Sequence, residues 1–218
     1  MSVLSLWGQY LGSFLRGLVV TIEITVVGLA VAVVVGAVLA LLRSSGVSIL
    51  RLVATAYIDV MRAVPVLVLL FIVYYGLGQV GLTLSGPTSA VLALGAFYAA
   101  LFAEIFRGGV SSVDRGQQEA ARALGMGGWL QVRRVIIPQA FLAILLPSTN
   151  EISNIIKDTS LVVTIGVGDL MSQAYQASAS TFQPMDMFVL AGLVYLALYL
   201  VISRALGRWE LSVQRRRS

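Results

Sequence analysis

Two uncharged stretches constrain this chain more than any other feature. No Asp, Glu, Lys or Arg occurs from Ile24 through Leu42, or from Ala63 through Ala103. A helix needs about 20 apolar residues to cross the hydrocarbon of a bilayer, so the first run can cross once and the second twice. Soluble domains carry about 25% charged residues. This chain carries 11%, with 58% hydrophobic residues and a mean hydropathy of +0.92. The bilayer is its natural solvent, and the expected fold class is an all-α membrane protein of about five transmembrane helices.

The spans are expected at about 18–42, 52–77, 88–107, 135–156 and 187–207, within one domain of residues 1–218. Residues 1–17 hold Trp7, Tyr10 and Phe14 with the single charge Arg16. They lack a basic leader and a small-residue cleavage site, so they read as an interfacial helix with aromatics at headgroup level, not a removed signal. Arg43 and Arg51 bracket a Ser/Gly loop. Spans two and three are parted by the turn-rich Gly76–Gly81 and Ser85-Gly86-Pro87. Pro138 and Pro147 predict an irregular fourth helix. Leu161–Val167 is apolar but too short to cross. No internal repeat and no soluble second domain is evident. Met, Phe and Tyr side chains in the spans read as packing, and Gly28, Gly36, Gly95 and Gly192 as places where helices approach closely.

Composition also excludes chemistry. The chain has no Cys and no His, which removes disulfides, zinc sites, Cys or His nucleophiles and serine-histidine triads. Its only lysine, Lys157, does not end a GxxxxGK[ST] loop, so the chain carries no such phosphate cradle. The net charge of +5 does not point to nucleic acid, because the charges sit at the ends of apolar segments. If the loops after spans one, three and five face the cytoplasm, every one of the 15 Lys/Arg residues except Arg16 and Lys157 lies on that side. The positive-inside rule then places the N-terminus outside and the C-terminus in the cytoplasm.

The longest polar interruption is Gly116 to Pro138, GQQEAARALGMGGWLQVRRVIIP, inside the loop expected at 108–134. Glu119 to Leu124 are good helix formers, and Gly125 with Gly127-Gly128 is a stop signal. A short helix, a glycine turn and a second helix beginning near Pro138 are expected. The stretch resembles the Glu-Ala-Ala loop of permease subunits of binding-protein-dependent ABC importers. That pattern is Glu-Ala-Ala, three residues, Gly, nine residues, Ile, any residue, Leu-Pro. Glu119, Ala120, Ala121, Gly125 and Pro138 fall in register, with Val135 and Ile137 standing in for Ile and Leu. The resemblance implies the type I ABC importer permease fold, and a coupling helix that docks in a cleft of a separate ATP-hydrolysing subunit. The alternative is an ordinary cytoplasmic loop helix.

Ionisable residues inside a membrane are functional candidates because burying them is costly. Asp59 and Arg62 are three apart and share a helix face, which fits a local ion pair as well as a transport role. Arg62-Ala-Val-Pro65 resembles the Arg-Gly-Thr-Pro motif of the polar amino-acid branch, but its middle residues differ, so only Arg62 and Pro65 carry over. Ala103-Glu104-Ile-Phe-Arg107-Gly108-Gly109 resembles the branch's Ala-Glu-Ile-x-Arg-Gly-Gly, and Glu104 with Arg107 reads as a helix-end ion pair. Leu101 stands where many members have Tyr.

The third cluster is Asn150-Glu151 through Lys157-Asp158-Thr159-Ser160-Leu161. If the helix persists, Glu151 and Asp158 share a face and two carboxylates there suit the ammonium groups of an amino acid. A solvated helix end with Lys157 paired to a carboxylate fits the spacing equally well. Lys-Asp-Thr-Ser-Leu is similar to a motif of amino-acid permeases, which implies a pocket of Glu151, Asp158, Asn150, Thr159, Ser160 and Arg62. The expected function is the transmembrane subunit of an ATP-driven importer of polar amino acids in the bacterial inner membrane. The chain itself is then no enzyme and holds no cofactor. ATP and Mg would bind the ATPase subunits. A second permease copy, identical or not, and an extracytoplasmic solute-binding protein complete the implied assembly. An ion-coupled secondary transporter is the rival reading.

Overall fold

The structure, a computed structural model, describes the backbone of residues 3–215 and the side chains of residues 6–209. The side chains of the basic Arg215–Arg217 tail therefore lie outside the described residues. Among the described residues the chain is helical with no strand, in the order α1 (Val3–Arg43), α2 (Ser48–Ala63), α3 (Val66–Gln79), α4 (Gly86–Ser111), α5 (Arg115–Ala123), α6 (Gly128–Ile165), α7 (Leu170–Thr181) and α8 (Pro184–Arg215). Four helices, α1, α4, α6 and α8, are long and apolar enough to cross a membrane, and the bent pair α2–α3 brings the number to five.

The bounds differ from expectation in three places, each for a local reason. The expected interfacial segment and first span are one continuous helix, α1. Nothing between Leu6 and Gly17 breaks it, and Phe14 is fully buried against α7 and α8 through Leu170, Ala174 and Met187. Tyr10 shares a 3.0 Å hydrogen bond with Ser180 of α7, so these aromatics pack on protein.

The expected second span is two helices bent by 107°. Pro65 lacks an N–H and disfavours helical backbone in the residue before it, and Val64 stands accordingly at φ −89°, ψ 132°.

The helix expected near Pro138 begins at Gly128, capped by the extended Gly127. Pro138 is accommodated because the turn before it, Val132–Ile136, is widened to a π-helix. A π-turn relieves the clash of a proline ring with the carbonyl of the preceding turn. Within α6, Ile137–Asp158 is α-helical and Thr159–Ile165 tightens to a 3₁₀ helix.

The core lies where α1 and α4 cross closely. A Cβ on Gly36 would stand 2.8 Å from Phe102 Cβ and one on Gly95 2.8 Å from Val31 Cγ1, so only glycine permits this separation. The expected close approach is present at these two glycines. Gly28 makes ordinary contact and Gly192 faces open space.

Tertiary neighbours sort the helix ends into two groups. Gly17 meets Asp169 and Gly86 meets Ile165 and Val167 at one end. Arg43 and Arg107 meet Glu104 at the other. Phe141 of α6 stacks edge-on with Trp209 at that same end, with centroids 5.9 Å apart. Thus α1, α4 and α8 run one way and α6 runs back between them. The arginine-rich segments, α5 included, gather at one end of the bundle.

Candidate functional site

Helix α6 does persist through Asp158, which turns the seven-residue spacing of Glu151 and Asp158 into a shared face. Both carboxylates lie within electrostatic reach of one group, the hydroxyl of Tyr98 on α4. Tyr98 donates to Asp158 Oδ2 at 2.8 Å. Glu151 Oε2 accepts from Asn154 Nδ2 at 3.3 Å. Lys157 is exposed and makes no ion pair among the described residues, so the two carboxylates are not neutralised by their own helix. A carboxylate pair without a cation, facing a helix interface inside a span, is an arrangement that attracts a cationic group.

The other expected pocket residues are placed differently. Ser160 is half-buried beside Asp158 with no hydrogen bond of its side chain among the described residues. Thr159 is fully buried; its hydroxyl donates to Ile156 O at 2.6 Å and lies beside the Tyr195 hydroxyl. Asn150 is about 100° around the helix from Glu151. It lines a separate groove of about 200 Å³ between α6 and α8 with Thr149, Ser153, Tyr199 and Ser203. Arg62 stays with Glu104, about 9 Å further along α4 than Tyr98. The structure thus sets Glu151 and Asp158 along one face of α6 within reach of Tyr98, with Ser160 two residues beyond Asp158, and leaves Asn150, Thr159 and Arg62 outside that face.

Arg62 also does not pair with Asp59, which is exposed and without an ion pair among the described residues. It points instead towards Glu104 Oε1, 3.8 Å from its Nη1. Arg107 binds Glu104 Oε2 through Nη2 at 2.8 Å and Nε at 3.2 Å, and Arg43 binds Oε1. The expected Glu104–Arg107 pair is therefore present and is half of a larger tie. One carboxylate joins the ends of α1, α2 and α4.

At the same end, α5 projects as a separately capped helix. Asp114 Oδ1 accepts from Gly116 N at 2.6 Å at its start. Its finish is a Schellman motif: Met126 N donates to Ala121 O at 3.1 Å and Gly125 N to Arg122 O at 2.9 Å. Gly125 supplies the left-handed residue this needs, φ +72°. Gln131 donates to Gln118 O at 2.7 Å and pins α5 onto the first turn of α6. Ala121 faces this joint, while Glu119, Ala120 and Gly125 are exposed. Beside them stand Leu124 and Trp129, 81% and 74% exposed. Both are large apolar side chains on an otherwise polar segment.

Sequence reading missed three groups. The sequence reads Tyr98 as packing, since nothing in its own neighbourhood announces a hydrogen bond to a residue sixty positions away. Leu124 and Trp129 flank glycines that read in the sequence only as a helix stop. Asp169, fully buried at the start of α7, accepts from Ser172 N at 3.0 Å and Met171 N at 3.2 Å. The pattern Gly168-Asp169 before a helical run is itself an N-cap signal in the sequence.

Known proteins share this fold. Residues 32–213 match the family described as the binding-protein-dependent transport system inner membrane component. The chain is 37% identical over 190 residues to the arginine transport system permease protein of Bacillus subtilis (strain 168), covering 87% of each. It is 33% identical to a probable glutamine ABC transporter permease protein of the same organism, covering 87% of this chain and 88% of that one. A solved structure, described as the crystal structure of an amino acid ABC transporter with histidines, superposes with a TM-score of 0.92 at 35% identity, covering 97% of this chain and 99% of the other. With a type I importer permease fold, a multi-pass helical build and this family match, the chain belongs to the inner membrane components of binding-protein-dependent transport systems.

Proposed function

We propose that this chain is the permease subunit of an ATP-driven importer of amino acids, coupled to a separate ATPase through α5, with cationic amino acids as its preferred substrates. The observation that carries the coupling is α5 itself. It is capped at both ends by its own side chains and backbone, carries Glu119-Ala120-Ala121 and is flanked by the exposed Leu124 and Trp129. Such a helix can be pushed as a unit without unravelling. Its joint to α6 through Gln131 passes directly into the widened turn before Pro138, the place where a displacement of α5 reaches the span that carries Glu151 and Asp158.

Alternating access then follows as a rocking of paired permeases. Two partner ATPase subunits, which would hold the ATP and Mg, close on hydrolysable nucleotide and push α5. The amino acid would be handed over by an extracytoplasmic binding protein, and its side-chain cation would sit between Glu151 and Asp158. Amino-acid specificity is supported by the arginine and glutamine permeases among the relatives, and a cationic preference by two carboxylates without a lysine partner. The arginine-rich end would face the cytoplasm of a bacterial inner membrane, with the N-terminus outside.

The second permease copy belongs on the α6–α8 side. The apolar window of each of these helices is only 17% buried, against 56% for α4, and the uncovered side carries Asn150 and the hydroxyls of its groove. In hydrocarbon such groups need a partner.

Affinity purification of the tagged chain from mild detergent, followed by an ATPase assay, tests the reading. A co-purifying ATP-binding subunit whose hydrolysis is stimulated by a cationic amino acid with its binding protein is the expected result. Isolation without any ATPase from cells that hold the native partners, with uptake driven by an ion gradient alone, would replace it with the secondary-transporter reading.

A further inference from the structure

A phenol buried in an apolar cluster costs free energy unless its hydroxyl is bonded, and phenylalanine fills nearly the same space without that cost. Tyr98 is 1% exposed, packed among Ile24, Leu94, Phe102 and Ile155, and stacked edge-on against Phe97 with centroids 5.3 Å apart. Its packing would be met by a plain ring. What the hydroxyl adds is the 2.8 Å bond to Asp158 Oδ2.

Asp158 needs that bond. It ends the α-helical part of α6, where the backbone tightens into the 3₁₀ turn, and its side chain caps nothing there. Among the described residues no cation pairs with it and its second oxygen, Oδ1, accepts no hydrogen bond. Left to itself, such a carboxylate rotates about its side-chain bonds and offers either oxygen in several directions.

We propose that Tyr98 is a positioning residue of the permease: by holding Asp158 Oδ2 it aims Oδ1 at the side-chain cation of the transported amino acid. This rests on the reading of Glu151 and Asp158 as the substrate's carboxylates. A neutral donor is suited to the role. Arginine or lysine at this place would cancel the charge that the substrate has to find, whereas a phenol fixes the carboxylate and leaves its charge in place. Because Tyr98 sits on α4 and Asp158 on α6, the bond also ties pocket geometry to the relative position of two spans. A rocking step that separates α4 from α6 would release the carboxylate and loosen the cation with it.

The test uses the purified complex of permease and ATPase in detergent, without binding protein. Equilibrium binding is measured for arginine and, by competition, for citrulline, which replaces the guanidinium by a neutral ureido group of the same shape. The wild type is expected to prefer arginine. Asp158→Asn should lower that preference well beyond tenfold, leaving only what Glu151 supplies. Tyr98→Phe should lower it about tenfold by weakening arginine while citrulline stays within about twofold, and should have no further effect in the Asp158→Asn background.

If Tyr98→Phe weakens both ligands equally, the residue is only a strut between α4 and α6 and the proposal falls. If Asp158→Asn sharply lowers the preference and Tyr98→Phe leaves it whole, the pocket stands and the positioning role falls. If Asp158→Asn keeps the preference, the pocket reading fails first. Should Tyr98→Phe not assemble, the double-variant comparison is made with Tyr98→Met, for which the same loss of preference is expected and an unchanged preference overturns the role.

Discussion

A carboxylate sealed from water must be held by donors or give up its charge. Asp169 is caught between the two. It lies between the spans, at the first turn of α7, with no exposure, and burial pushes its carboxyl up to about 6 although the N–H groups of Ser172 and Met171 pull the other way. Among the described residues the Tyr195 hydroxyl, 3.4 Å from Oδ2, is the only side-chain hydroxyl bonded to it. Its folded value lies above that of an unfolded aspartate, about 3.9, so the folded chain binds this proton more tightly. The resulting stabilisation is complete below about pH 4 and is lost as the pH rises through about 6. The difference is worth on the order of 3 kcal/mol. Asn keeps the N-cap and never ionises. The thermal midpoint of the purified chain should therefore fall between pH 5 and pH 7.5, and in Asp169→Asn that fall should be visibly flatter. Equal slopes in the two proteins would mean that Asp169 is already hydrated or neutral over the whole range.

The elements show where a local signal is enough and where it is not. Gly125 was legible as a stop because the Schellman finish needs one left-handed residue at a fixed place, and the surroundings do not alter that need. A Cβ there meets nothing within 4 Å, so the demand is on φ alone and side-chain size is irrelevant to it. Gly125→Val should cost roughly 1–2 kcal/mol at the end of α5 and reduce retention of the ATPase subunit. Gly125→Asn, which tolerates the left-handed region, should keep it. Equal losses would show that the partner surface, not the cap, excludes a side chain there.

The break at Pro65 was less legible. An uncharged run continues straight through it, and hydropathy counts apolar residues without asking whether each can donate a backbone hydrogen bond. Pro138 misled in the opposite sense. It suggested a helix start, and the widened turn at Val132–Ile136 absorbs it inside a continuous helix. That exchange between proline strain and helix register is decided by tertiary packing. The site followed the same division: Glu151 and Asp158 could be placed on one face from spacing, whereas their meeting with Tyr98 required the crossing of α4 and α6.

For the whole molecule the question is what covers the polar side of α6. Asn150 is exposed, and with Thr149, Ser153, Tyr199 and Ser203 it forms a line of amides and hydroxyls along the α6–α8 groove. Lipid tails offer these groups nothing, so their exposure in a single chain implies a partner or water in the assembled transporter. A second copy meeting this one about a twofold axis would bring the same groove opposite itself and satisfy both. The chain has no cysteine, so a single Asn150→Cys variant reports on that face without background. In native membranes it should give a dimer of permeases on mild oxidation or with a short bifunctional thiol reagent. Val34→Cys, on the exposed side of α1, should give none. Cross-linking of Asn150→Cys to a different permease would make the assembly a heterodimer on the same face. Cross-linking of neither variant, with the ATPase still bound, would mean that the groove faces the water of the transport path. Asn150 would then join Glu151 and Asp158 as a residue the substrate passes.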